Sequence, residues 1–200
     1  TYIPDYRSPD YVGEIFAYNT TAASLGVQFG LLGFADDNWV DGTQSHVFVF
    51  DTPEYRELGF GFTATTVHEF GHHLGMSHPH DGYDSELGLD FGPGGFLEFA
   101  WVGDESHTVM QYLALTNQFG QFDQDNSNRW EMAGYLNWSN AVAGDILAHP
   151  NAARAAWLLW FADAAAAEAL DSFKKWEYQK AAASARLAYQ LTLTAARQIG

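Results

Sequence analysis

The stretch His68-Glu69-Phe70-Gly71-His72-His73-Leu74-Gly75-Met76-Ser77-His78 constrains this chain more than any other. It has the pattern H-E-x-x-H-x-x-G-x-x-H. Residues four apart lie one above the other on a helix, so His68 and His72 share a face and can grip one Zn²⁺. Glu69 flanks that position without occupying it, which suits a general base acting on metal-activated water. Gly75 lets the chain leave the helix through a turn that a side chain would obstruct. His78 then returns as a third ligand. Three protein ligands leave the fourth zinc position open, the arrangement of a catalytic rather than a structural site. The competing reading is a helix whose histidines merely cap, pack or face solvent. The length of the pattern disfavours it.

The rest of the chain must supply a fold that holds this segment. Two hundred residues with 47% hydrophobic content suffice for a globule with a real core. There is no cysteine, so disulfides and thiolate metal sites are excluded. No apolar run reaches membrane-spanning length, and no signal segment is recognisable. The chain begins at Thr1, as a mature product or an excised fragment would. Charge is unevenly spread. The net charge is −16, yet residues 1–150 hold 21 of the 25 acidic side chains and only three of the nine basic ones, Arg7, Arg56 and Arg129. That shift suggests a domain boundary near Pro150. The acidic part disfavours nucleic acid and anionic membranes as partners. Its surplus is read as a solvated surface, with Ca²⁺ binding as the alternative.

In chain order, residues 11–18 read as a strand. Residues 25–34 alternate partly, with Val27, Phe29 and Leu31 on one side. Ser45 to Asp51 is the clearest strand, closed by Thr52-Pro53. Thr63 to Leu74 is the expected helix of the histidines. Thr63, Thr65 and Thr66 are its candidate caps, with a Thr66/Glu69 capping box discounted.

The long motif, ending His-Leu-Gly-Met-Ser-His-Pro, resembles the metzincin zinc endopeptidases, most closely the serralysin and matrixin branches. The resemblance implies an α+β catalytic domain: a small twisted mixed sheet, a zinc-binding active-site helix and a Met-turn. It implies zinc ligation by His68, His72 and His78 with Glu69 as base. The loop Pro79 to Asp84 is similar to the serralysin sequence after the third ligand. Met110, in Ser106-His107-Thr108-Val109-Met110-Gln111-Tyr112, matches the Met-turn methionine, a soft apolar floor for the ligands. Thr108 stands where serine is more usual. Tyr112 matches a tyrosine that ligates resting zinc and then steadies the oxyanion. Alone, Met110 and Tyr112 would read as core residues. The helix arrives after only 67 residues, so a first strand and its backing helix are expected to lie outside this sequence. The resemblance further implies a secreted, extracellular or cell-surface protein, with an extended protein or peptide substrate paired to an edge strand.

Phe122 to Ser127 carries oxygen side chains at alternate positions, as a Ca²⁺ loop does. It lacks glycine at the sixth position, and position twelve is Gly134. The preferred reading is a cap on a helix starting near Ser127, with Trp130, Ala133 and Gly134 packing under the active site. Residues 137–147 then read as a connector. Residues 150–200 read as an alanine-rich, all-α helical hairpin joined around 171–176. One expected seam is Ala153, Trp157, Trp160, Ala164 and Ala167. The other is Tyr178, Ala182, Ala185, Tyr189, Thr192, Ala196 and Ile199. Trp157, Trp160, Trp176 and Tyr189 are expected to fill the gaps between close alanine backbones. The hairpin is expected to dock on the domain 1–149 or on adjoining segments of a longer chain.

Of the other histidines, His73 is read as a surface residue facing away from the metal, and His80 as the substitute ligand should His78 prove remote. His46, His107 and His149 have no assigned role. The expected activity is that of a zinc-dependent endopeptidase. The alternatives are a catalytically silent surface or interaction protein that binds through the hairpin, and a zinc hydrolase of non-protein substrates.

Overall fold

The computed structural model describes residues 13–27, 30–35, 45–79, 107–111 and 116–200. These form a mixed α+β structure: a small three-stranded mixed sheet followed by a helical C-terminal part. They fall into two compact units, the first running through Ser127 and the second from Asn128 to Gly200. This division lies upstream of the change in charge at Pro150.

In the first unit the strands are β1 (Gly13–Tyr18), β2 (Gly33–Ala35) and β3 (Ser45–Phe50). The order is β1-β3-β2, with β3 parallel to β1 and antiparallel to β2. The pattern of β3 explains its central place. Val47 and Val49 alternate onto the buried face, where a period of two must put them. The ring of Phe48 stacks between its two register partners, Phe16 at 5.1 Å and Phe34 at 4.4 Å. The strand expected over 25–34 is confined to Gly33–Ala35. Ala22–Leu25 is instead a 3₁₀ turn capped by Thr21, and Gly26 and Gly30 take φ of 77° and 81°, which ends extended pairing.

Thr52-Pro53 does more than close β3. The Thr52 hydroxyl accepts from the Tyr55 N–H at 3.3 Å and Pro53 occupies the first turn of α1 (Pro53–Glu57). The side chain of Arg56 in α1 clasps the Asp51 carboxylate at 2.6–3.0 Å. Helix α2 (Phe62–His73) then packs on β3 and β2. Its N-cap is Gly61, without a side-chain cap, so Thr63, Thr65 and Thr66 lie inside the helix rather than at its start.

Two further corrections concern α3 (Gln121–Ala148). Residues 122–127 are helical, so they neither cap a helix starting near Ser127, since α3 already begins at Gln121, nor alternate their oxygens around an ion as a Ca²⁺ loop requires. Residues 137–147 continue the same helix. Trp138, Val142 and Ile146, spaced by four, are all buried and hold it in register.

The second unit joins the remainder of α3, including Trp130 and Ala133, to α4 (Ala156–Lys174) and α5 (Tyr178–Ile199). The α5 seam is buried much as expected, through Tyr178, Ala182, Ala185, Tyr189, Thr192 and Ile199. The Tyr189 ring packs against Tyr135 and Trp138 of α3. The α4 seam is rotated from the expected one: Leu158, Ala162, Ala169 and Phe173 are buried, while Trp157 and Trp160 are more than half exposed. An alanine-rich helix is apolar around much of its circumference, so periodicity alone permits either phase. Trp176, at the turn between α4 and α5, is also exposed and takes φ of 65°.

Candidate metal centre

The three motif histidines converge. His68 and His72 stand one turn apart on α2. His78 returns because α2 ends in a Schellman turn: the Met76 N–H bonds the Gly71 carbonyl at 2.9 Å and the Gly75 N–H bonds the His72 carbonyl at 2.8 Å. Gly75 takes φ of 83°, a conformation a side chain would strain. The Nε2 atoms lie 3.2 Å apart for His68–His72, 3.2 Å for His68–His78 and 3.0 Å for His72–His78.

The protonation pattern follows from the outer nitrogens. His68 Nδ1 donates to the Val109 carbonyl at 2.7 Å, and His72 Nδ1 donates to the Met76 carbonyl at 2.8 Å. A carbonyl only accepts, so Nδ1 carries the proton and Nε2 of the neutral ring presents a lone pair. At least two such lone pairs therefore face one another at 3.2 Å with no proton between them. Tetrahedral coordination with Zn–N bonds of 2.0–2.1 Å separates neighbouring nitrogens by about 3.3 Å. The donor set thus fits one metal ion in both chemistry and spacing, and no other such cluster of His, Asp or Glu exists among the described residues.

Glu69 is buried beside the triad on α2, against the backbone of β2. A Cβ on Gly33 would lie 2.6 Å from Glu69 Oε1 and 2.8 Å from its Cδ, so glycine at that position lets the strand approach the carboxylate. His68, Glu69, His72 and His78 line a cleft of about 670 Å³ together with Gly33, Phe34 and Ala35 of β2, Val109 and Gln111. Within the described sheet β2 has β3 as its one partner and is an edge strand.

Met110 is fully buried and its thioether lies against Gly71, where a Cβ would overlap it. Glycine at this point of α2, between His68 and His72, admits the methionine beneath the helix. The turn around it is held in three ways. The Val109 N–H bonds the Gln118 carbonyl at 2.7 Å. The Met110 N–H bonds Thr108 Oγ1 at 3.1 Å. Thr108 Oγ1 in turn donates to Asp123 in the first turn of α3. Burial pushes the Asp123 carboxyl above its ordinary pKa, partly opposed by hydrogen bonds from Thr108 and the Gly120 N–H.

Tyr112 and His80 lie outside the described residues. His73 is buried rather than on the surface, with its ring 6.0 Å from that of Phe70 one turn earlier, and it is not among the clustered ligands. His107 is exposed, His46 lies on β3 and His149 follows α3. The sequence assigns no role at the site to Gly33 or Gly71, and it reads Asp123 and Asn126 only as part of the 122–127 stretch of oxygen side chains. Gly71 carries a signal as a glycine within a helical pattern.

No protein-family model matches the chain, and no curated protein or solved structure matches it significantly. What stands on the described residues alone is a mixed α+β first unit bearing a three-histidine group able to bind a metal ion. No described helix is long and apolar enough to cross a membrane.

Proposed function

We propose that the first unit is the catalytic part of a zinc-dependent endopeptidase of metzincin type. The observation that carries the reading is the Nε2 triangle of 3.0–3.2 Å, with two of its tautomers set by backbone carbonyls and Glu69 buried alongside. Imidazole donors suit zinc among several transition metals, and an adjacent carboxylate supplies the general base that hydrolysis needs. A zinc ion held by His68, His72 and His78 supplies Lewis acidity toward water and a scissile carbonyl.

The protein groups do the remainder. The Glu69 carboxylate accepts a proton from the attacking water and returns it to the leaving amine. The backbone of Gly33 packs on this carboxylate and restricts its motion. The β2 edge offers main-chain hydrogen bonds to an extended peptide, which sets the scissile bond against the cleft wall that carries Glu69. Tyr112 is proposed to donate to the oxyanion, and Met110 to support the ligand helix. The extracellular or cell-surface setting belongs to the same proposal.

The test is metal analysis of the purified chain together with cleavage of casein and a quenched peptide library. Zinc at one ion per chain and cleavage that falls about 10²–10⁴-fold in Glu69→Ala, with zinc retained, is expected. Zinc without cleavage of any peptide overturns the protease reading and leaves a binding protein or a hydrolase of other substrates.

A further inference from the structure

We infer that the first two turns of α3 position the imidazole triad, with Asp123 acting on the His68 side and Asn126 on the His78 side. The inference rests on the metal-centre reading but concerns residues that the motif does not contain. Asp123 and Asn126 are three apart and both fully buried. Asp123 Oδ2 accepts from the Thr108 hydroxyl and from the Gly120 N–H at 2.5 Å. Thr108 holds the Met110 N–H, and between these two residues sits Val109. The Val109 carbonyl receives the His68 Nδ1 proton. Asp123 therefore fixes the flank of the peptide that orients one ligand. Asn126 Nδ2 donates to the buried Ser77 Oγ at 2.6 Å, and Ser77 immediately precedes His78. Asn126 fixes the approach of another ligand.

The remaining oxygens argue against a packing role. Asp123 Oδ1 and Asn126 Oδ1 are buried without a hydrogen-bond partner among the described residues. An unsatisfied buried acceptor destabilises by about 1–3 kcal/mol, and an apolar side chain at either position would avoid that cost. Both side chains are directed instead to residues beside the ligand set. Such outer partners, which orient ligating histidines, commonly change metal affinity about 10–100-fold when removed. The two act as positioning residues, since neither touches the imidazoles.

Cobalt binding to the full chain tests this, by competition with a chelator and by the visible d–d spectrum. Asp123→Ala and Asn126→Ala are expected to weaken Co²⁺ about 10–100-fold and to alter the spectrum. Asp123→Asn keeps an oxygen for Thr108 and Gly120, and is expected to stay within about threefold of wild type if hydrogen-bond acceptance rather than charge sets the geometry. Tyr189→Ala removes a buried ring from the second unit, so it lowers thermal stability and leaves Co²⁺ affinity unmoved. Should an alanine variant fail to fold, Thr108→Val and Ser77→Ala break the same two links more gently. Wild type that takes up no cobalt overturns the metal-centre reading and this inference with it. Wild type that binds, with both α3 variants binding equally well and with an unchanged spectrum, overturns the positioning role alone.

Discussion

The two units bury different chemistry. The first encloses Asp51, Glu69, His73, Ser77, Thr108, Gln111, Asp123 and Asn126. The second is closed largely by alanine and aromatic rings, and its few buried polar groups include the Ser139–Thr192 hydroxyl pair at 2.9 Å, with Thr192 also bonding the Ala188 carbonyl. Arg129 is likewise accommodated, its guanidinium 4.7 Å from the Phe173 ring centre and 5.1 Å from that of Tyr178. Self-sufficient packing of this kind leaves little for a ligand to add. The first unit gathers lone pairs and a carboxylate at one cleft, at a cost that a bound cation would offset. The contrast is one of convergence: the first unit brings its buried polar groups to one cleft, while those of the second, Ser139, Ser172, Thr192 and Arg129, are spread along its helices.

The largest expected effect splits the units directly. The proposed zinc site lies in one of them, so zinc at a free concentration one hundred times its dissociation constant is expected to stabilise that unit by about 2.7 kcal/mol. Calorimetry with and without chelator, read beside tryptophan and histidine probes of each unit, should show the metal-sensitive transition in the first unit only. A uniform shift of both would break the contrast. The second unit has its own lever of about 1 kcal/mol. Trp176 occupies the left-handed position of the turn that ends α4, where its N–H bonds the Phe173 carbonyl and the Glu177 N–H bonds the Ser172 carbonyl. That geometry favours glycine and costs another residue about 1 kcal/mol. Trp176→Gly is therefore expected to raise the melting temperature of the second unit with no change in zinc affinity. A lowered value would mean that the exposed ring contributes more than the backbone strain costs.

What could be read from the sequence follows the range of the interactions rather than the division into units. The three-histidine group was legible because its spacing is a property of one helix and one turn, both local. β3 and the α4–α5 join were legible for the same reason. Residues 137–147 misled because Asn140, Gly144 and Asp145 have poor helix propensity, and only tertiary burial of Trp138, Val142 and Ile146 keeps them helical. The phase of α4 depended on which of several apolar faces fits α5. His73 is polar and adjacent to a ligand, so its burial against Phe70 had no local sign. Asp123 and Asn126 have partners 15 and 49 residues away in sequence, Thr108 and Ser77. Pairings of that range leave no periodic trace.

The smallest expected effect is a slope rather than a loss, and it tests whether Asp123 is buried as a strained acid. Burial raises its folded-state pKa above the unfolded value of about 3.9. The folded protein then binds the proton more tightly than the unfolded chain does. The stability this proton contributes is fully present below the unfolded value and is lost as pH rises through the raised one. Asp123→Asn does not titrate. Wild type should therefore lose stability relative to Asp123→Asn as pH increases across that window, with a constant difference on either side. Every other side chain is common to the two proteins, so its contribution largely cancels in the comparison. Denaturant unfolding of the metal-free proteins at several pH values between about 3 and 7 measures the difference. A difference that does not vary with pH, or that grows in wild type's favour on raising the pH, would show that hydrogen bonds from Thr108 and Gly120 outweigh burial. Asp123 would then be held as a stable carboxylate, and the first unit would pair off its buried charge as thoroughly as the second does.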